Sequence, residues 1–160
     1  MPEGEHKSRL VTYHLFQIPN DENDCRKLLK GGDAYRRDFD NKDALSCYRK
    51  VLETLTVSSS EEADSLYIEA AIKYSKISTA RSKPTNSQSI LYEAMTRAKR
   101  WHKQNYEALL NMHLAKNEWL RARYDKALST FEEAWSLARK SGDPRVLRTA
   151  TTFSTFFLYW

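Results

Sequence analysis

From about residue 8 onward the apolar residues recur at steps of three and four, a period that suits helices and little else. The sharpest stripe is Tyr124, Ala127, Leu128, Phe131, Trp135 and Ala138, with Ala134 beside it. Lys126, Glu132, Glu133 and Arg139 stay off that stripe, as an amphipathic helix requires. Gly142 then supplies a C′ stop, and Asp143-Pro144 reads as an N-cap with proline at the first helical position. Ser58 or Ser59 with Glu61 or Glu62 offers a capping box ahead of Leu66, Tyr67, Ala70, Ala71, Tyr74 and Ile77. "SKPTNS" (82–87) breaks that helix, and Leu91, Ala94, Met95, Ala98 and Trp101 carry the next. The pattern predicts eight helices, near 6–17, 22–37, 40–56, 60–81, 87–102, 104–121, 124–140 and 144–158.

Only four Gly and four Pro in 160 residues argue against an all-β chain with many tight turns. Acids gather at helix starts and bases at helix ends, an arrangement that complements helix dipoles without any ligand. The net charge of +5 permits nucleic acid or an acidic partner without demanding either. Cys25 and Cys47 form no C-x-x-C pair, and Cys47 lies in an apolar run as a small buried hydrophobe. Cysteine usage therefore favours a reducing, cytoplasmic setting. "MPEGEHKSRLV" has no apolar core of the kind a signal peptide needs, and no segment is apolar enough to span a bilayer.

Two stretches repeat one pattern. Leu28, Gly31, Gly32 and Tyr35 are followed, eight residues on, by Ala44, Tyr48 and Val51. Asn111, Leu114, Ala115 and Glu118 are followed at the same spacing by Ala127, Phe131 and Ala134. A weaker unit lies between them, with Tyr67, Ala70, Ala71 and Tyr74 in one helix and Leu91, Met95 and Ala98 in the next. From about residue 22 onward the chain resembles the tetratricopeptide repeat family, whose pattern is W-x2-L-G-x2-Y, eight residues, then A-x3-F-x2-A. "YDKALSTFEEAWSLARKSGD" is similar to the long-repeat arrays C-terminal to the ATPase module of bacterial signalling proteins and maltose-activator-like transcriptional regulators. The resemblance implies an all-α, right-handed superhelical stack of antiparallel helix pairs. It divides the chain into an N-terminal helix (1–21) that is a lead-in or the end of a preceding unit, repeat 1 (22–57), a long and irregular repeat 2 (58–103), repeat 3 (104–142) and the first helix of an incomplete repeat 4 (143–160).

Motifs for catalysis are missing. Gly4, Gly31, Gly32 and Gly142 make no phosphate loop, and the adjacent pair in "GGDAY" falls in a helical pattern where close packing is the better reason. His6, His14, His102 and His113 lack zinc-ligand spacing, and His113 lies on an apolar stripe. "DFDNKD" (38–43) fails as a calcium loop, because Lys42 takes its fifth position and Arg49 its twelfth. No catalytic residue, metal or cofactor is expected. Lys99, Arg100 and Lys103 flank Trp101 and Tyr106 as a basic, aromatic patch suited to nucleic acid, although Trp101 also continues a core stripe.

The family's concave face, carried over position by position, holds Arg26, Leu29, Asp33, Arg36 and Arg37 in repeat 1. It holds Ile72 and Lys76, with Ile68, in repeat 2, and Met112, Lys116 and Trp119, with Leu109 and Leu120, in repeat 3. The family's carboxylate clamp is absent, because Leu29 and Asp33 stand in the places of its Lys and Asn. The implied function is a non-catalytic interaction or sensory segment of a larger cytoplasmic bacterial regulator, binding a peptide, a protein element or an effector. A stand-alone adaptor and a helical-repeat RNA- or DNA-binding module are the alternatives. The closing "TTFSTFFLYW" continues a helix from Asp143, and its unpartnered face predicts self-association through Phe156, Tyr159 and Trp160.

Overall fold

The computed structural model describes residues 21–81 and 83–158. They form α1 (Glu22–Arg37), α2 (Asn41–Thr54), α3 (Glu61–Ala80), α4 (Thr85–Arg100), α5 (Gln104–Leu120), α6 (Tyr124–Ser141) and α7 (Pro144–Leu158), with no strand among the described residues. The chain is therefore all-helical over this range, with seven helices; the eighth expected helix, near 6–17, lies outside the described residues. No described helix is long and apolar enough to cross a membrane. The chain divides into two compact units, one ending at Ile77 and the other beginning at Ser78.

In the first unit, α1 starts where the Asp21 side chain accepts the Asp24 amide at 2.8 Å, and α2 where Asp40 accepts the Asp43 amide at 3.1 Å. The cap of α3 is Ser60, whose Oγ accepts the Ala63 amide at 3.1 Å, and not the expected Ser58 or Ser59. Ser60 also donates to Glu22 Oε1 at 2.9 Å, a contact that local pattern cannot reveal. The α1–α2 hairpin is antiparallel and closes over Cys25, Leu28, Ala44, Cys47, Tyr48 and Val51, all nearly or fully buried. Each large aliphatic side chain among them contributes roughly 1.5–3 kcal/mol by leaving water. Gly32 is what lets the hairpin close: a Cβ there would lie 2.5 Å from Tyr48 Cε1. Helix α3 lies beside α1 and runs the same way, for Glu22 meets Ser60, Arg26 pairs with Glu62, and Asp33 pairs with Lys73.

In the second unit, α5 is central and packs against α4, α6 and α7. Its burial extends around the helix, from Ala108 and Met112 to Leu110, Leu114, Asn117 and Glu118. Ala108, Met112, Ala134, Ala138, Val146 and Ala150 form one cluster across α5, α6 and α7. Ala115, Ala127 and Phe157 form another, with Trp119, Phe131, Phe153 and Phe156 packed on it. Asn117 joins α5 to α4 and α3: its Nδ2 donates to Ser87 Oγ (3.1 Å), Pro84 O (3.2 Å) and Gln88 Oε1 (3.4 Å), and its Oδ1 accepts from Thr79 Oγ1 at 3.0 Å. Gly142, at φ +63°, ends α6, and Asp143 Oδ1 accepts the Arg145 amide at 2.9 Å to start α7.

Three short turns share one geometry. Phe39, His102 and Ala122 each hold a positive φ, at 61°, 51° and 59°. In each turn the next amide returns to the carbonyl five residues back: Asp40 to Tyr35 (2.9 Å), Lys103 to Ala98 (3.0 Å) and Arg123 to Glu118 (2.9 Å). Phe39 and Ala122 fall at equivalent places in the two stretches aligned from sequence.

Candidate functional site

One cluster of like charges lies in the first unit. The outward stripe of α1 carries Lys30, Asp33, Arg36 and Arg37, and α3 brings Lys73 and Lys76 alongside. Together they line an open cleft of about 700 Å³. A helix cannot place Lys30, Asp33 and Arg37 anywhere but on one face, since their steps are three and four. The parallel course of α3 sets its two lysines at the same level.

Asp33 organises the cleft. Its Oδ2 meets Lys73 Nζ at 2.5 Å, and its Oδ1 accepts the Tyr48 hydroxyl at 2.6 Å from the fully buried side of the hairpin. Burial, reinforced by the hydrogen bond to Asp33, pushes the Tyr48 phenol far up, so it stays a donor. With Asp33 committed to Lys73, four cations remain: Lys30, Arg36, Arg37 and Lys76. Desolvation lowers the Lys76 pKa, and the positive charges of Arg36 and Lys73 lower it further against the pull of Asp33. Lys76 is nevertheless solvent-exposed over much of its surface, so it is crowded by charge and protein without being sealed in.

Next to the basic cleft, and sharing Lys30, Asp33 and Lys73 with it, lies a second pocket of about 360 Å³. Leu29 and Leu66 form its floor, with Arg26 and Glu69 at the rim. The Arg26–Glu62 and Asp33–Lys73 ion pairs join α1 to α3 on either side of this pocket.

The expected concave-face residues therefore separate. Arg26, Asp33, Arg36, Arg37 and Lys76 line the two pockets, and Leu29 is only 4% exposed beneath them. Ile72, at 8%, turns into the interior. Lys30, Lys73, Leu66 and Glu69 were not among the expected positions. The signal for the lysines was present, because Lys73 and Lys76 stand three apart on one helical face.

Repeat 3 departs further. Met112 is fully buried, and α7 covers the face on which Lys116 and Trp119 lie. Trp119 meets Tyr124, Phe156 and Phe157 edge-on, with centroids 4.8, 6.5 and 5.3 Å apart. Lys116 Nζ sits 5.1 Å from the Phe156 ring, and burial lowers its pKa. The physical reason is the run of Phe153, Phe156 and Phe157, which turns toward α5. Phe156 is thus half-buried within its own unit, while Tyr159 and Trp160 lie outside the described residues. His113 is buried, edge-on to Phe153 at 5.3 Å.

Lys99 and Arg100 are exposed in the last turn of α4, and half-buried Lys103 reaches over the Tyr106 ring at 6.0 Å. Glu118, nearly fully buried, accepts Gln88 Nε2 at 3.0 Å and lies within 3.5–3.8 Å of Arg121, Arg123 and Lys126. Among the described residues no group of three His, Cys, Asp or Glu side chains could hold a metal ion. The chain matches no family model, no curated protein and no solved structure.

Proposed function

We propose that the chain is a non-catalytic interaction module of the tetratricopeptide type, a stack of helix pairs whose α1–α3 groove receives a segment of a partner protein. By the resemblance of its repeats, such a module serves a larger cytoplasmic bacterial signalling or transcriptional regulator, and occupancy of the groove biases that protein's state. The observation that carries the reading is the groove itself: two neighbouring helices, running the same way, bring five cations to one cleft in whose described lining Asp33 is the one carboxylate. Support for the repeat comes from the small-against-large contact recurring in register. Gly32 meets Tyr48 in the first hairpin, and Ala115 packs in one cluster with Phe131 in the second.

Fluorescence anisotropy with labelled ten-residue peptides tests this. An acidic peptide should bind with an affinity that falls as salt rises, and its Asn/Gln counterpart should not. Joint reversal of the exposed Arg36 and Arg37 to Glu should abolish binding without changing the helical signal. Failure of every acidic peptide would refute the reading, and binding that survives the reversal would place the site elsewhere. Tighter binding of single-stranded nucleic acid, lost on Lys99→Glu with Arg100→Glu, would favour the alternative.

A further inference from the structure

The α1–α3 cleft holds more positive charge than a stretch of acidic protein can answer. Lys30, Arg36 and Arg37 come from α1, Lys73 and Lys76 from α3, and Asp33 is the one carboxylate in the described lining. Both its oxygens are engaged, Oδ2 with Lys73 and Oδ1 with the Tyr48 hydroxyl. Five cations against one carboxylate leave an excess of four positive charges in about 700 Å³. Lys30, Arg36, Arg37 and Lys76 are all exposed, so a ligand reaches them without any opening of the fold.

Charge density decides what fits. Side chains alternate along an extended segment, so carboxylates facing one cleft stand about 7 Å apart. Four of them would stretch over about 20 Å, whereas Lys30 and Arg37 lie about 10 Å apart along α1 at about 1.5 Å per residue. Three linked phosphates carry about four negative charges at pH 7 in one compact group. Their oxygens match the planar forks of Arg36 and Arg37, and the lysines answer as point charges. We infer that the cleft binds a chain of linked phosphates, free or carried by a nucleotide, and that this chain displaces the acidic partner segment. The displacement rests on the interaction reading above; the phosphate site does not.

The surroundings of Lys76 agree. Desolvation and the charges of Arg36 and Lys73 all lower its pKa, a cost that an arriving anion removes. A Mg²⁺ ion gains no free carboxylate from the described lining, since Asp33 is bonded on both sides. It would also cancel two of the charges that the cations meet. The metal-free chain is therefore the better ligand.

Calorimetric titration of the full chain at low salt tests this. Affinity should rise at least about tenfold per phosphate from orthophosphate through pyrophosphate to tripolyphosphate, as each adds a charge-assisted hydrogen bond. Equal affinity along the series would overturn the inference, as would no binding at all. A capped tetra-aspartate peptide spreads the same charge over a longer chain and should bind at least about tenfold more weakly than tripolyphosphate; equal binding would sink the preference for phosphate. Lys76→Met should cost tripolyphosphate at least about tenfold and Arg36→Gln with Arg37→Gln about a hundredfold, with the helical signal unchanged. Affinity retained in both variants, or lost only on Lys99→Glu with Arg100→Glu, would remove the site from this cleft. ATP bound no tighter than tripolyphosphate would assign the site to the phosphate chain itself, and tighter binding to a nucleotide. Mg²⁺ should weaken either ligand, and strengthening by Mg²⁺ would contradict the metal-free site. Tripolyphosphate should release a labelled acidic peptide near its own Kd, whereas simultaneous binding would refute the displacement. Phosphate binding without peptide binding would refute the interaction reading alone, and the reverse would refute the phosphate site alone.

Discussion

Gly31 and Gly32 are neighbours in one helix, and the same substitution should move stability in opposite directions. An alanine Cβ at Gly31 would meet nothing within 4 Å. Gly31→Ala should therefore collect the helix propensity difference, about 0.8–1 kcal/mol of stabilisation. At Gly32 the Cβ would stand 2.5 Å from Tyr48 Cε1 and 3.0 Å from Cδ1 and Cζ, roughly 1 Å inside ordinary carbon contact. The ring cannot easily yield, because it is fully buried and its hydroxyl is bonded to Asp33 at 2.6 Å. Overpacking of this kind costs about 1–3 kcal/mol, which offsets the propensity gain and leaves a net loss of up to about 2 kcal/mol. The two variants should differ by about 1–3 kcal/mol in urea unfolding followed by circular dichroism, or about 2–12 °C in Tm for a chain of this length. In a Tyr48→Phe background the ring is released from Asp33, so Gly32→Ala should cost less, a coupling that a double-mutant cycle reads directly. If Gly32→Ala proves as stable as Gly31→Ala, the claim that this glycine sets the hairpin spacing is wrong.

Asn117→Ala removes four hydrogen bonds around α5 and takes the acceptor from buried Thr79, so urea unfolding should show a loss of about 1–3 kcal/mol; a loss under 0.5 kcal/mol would mean water replaces the amide. Burial, then the acids Asp24, Asp21 and Glu22, push the Cys25 thiol up to about 11, and burial pushes Cys47 up to about 11 as well. Both thiols should therefore resist a disulfide reagent at pH 8 in the folded protein and react in full once urea is added, whereas prompt titration of either would contradict the packing of α1 on α2. The Lys76 pKa is lowered in the fold, so between its folded and unfolded values the unfolded state holds more protons and stability rises with pH. Below that window the cost of the charge is fully present. Lys76→Met should then stabilise the protein slightly at pH 7, within about 0.5 kcal/mol, and the advantage should fade toward the ordinary lysine pKa near 10.4.

Helices were legible because their signals are local. Asp21 and Asp40 cap from positions that any reader of the sequence would test, and α1 spans the expected 22–37. Ser60 escaped because two other serines precede it, and its further bond to Glu22 joins residues far apart in sequence. Tertiary choices were less visible. Periodicity identifies an apolar face but does not say which neighbour will cover it. Met112 and Trp119 were placed on an open face, yet Phe153, Phe156 and Phe157 from α7 occupy that side. The polar residues Asn117 and Glu118 look out of place on an apolar helix until Ser87, Gln88 and the Arg121–Lys126 cations are brought to them.

Helix dipoles explain Arg36 and Arg37, which stand in the last turn of α1. They do not explain Lys73 and Lys76, which precede the last turn of α3. Nor does pairing explain them, since only Lys73 has its carboxylate in Asp33, an exposed pair contributing at most about 1 kcal/mol. Folding would be better served by a neutral residue at Lys76, where like charges and desolvation already disfavour the ammonium. A cation held against desolvation, beside three others that line the same cleft, is what the proposed groove would need and what helix dipoles and pairing leave unexplained.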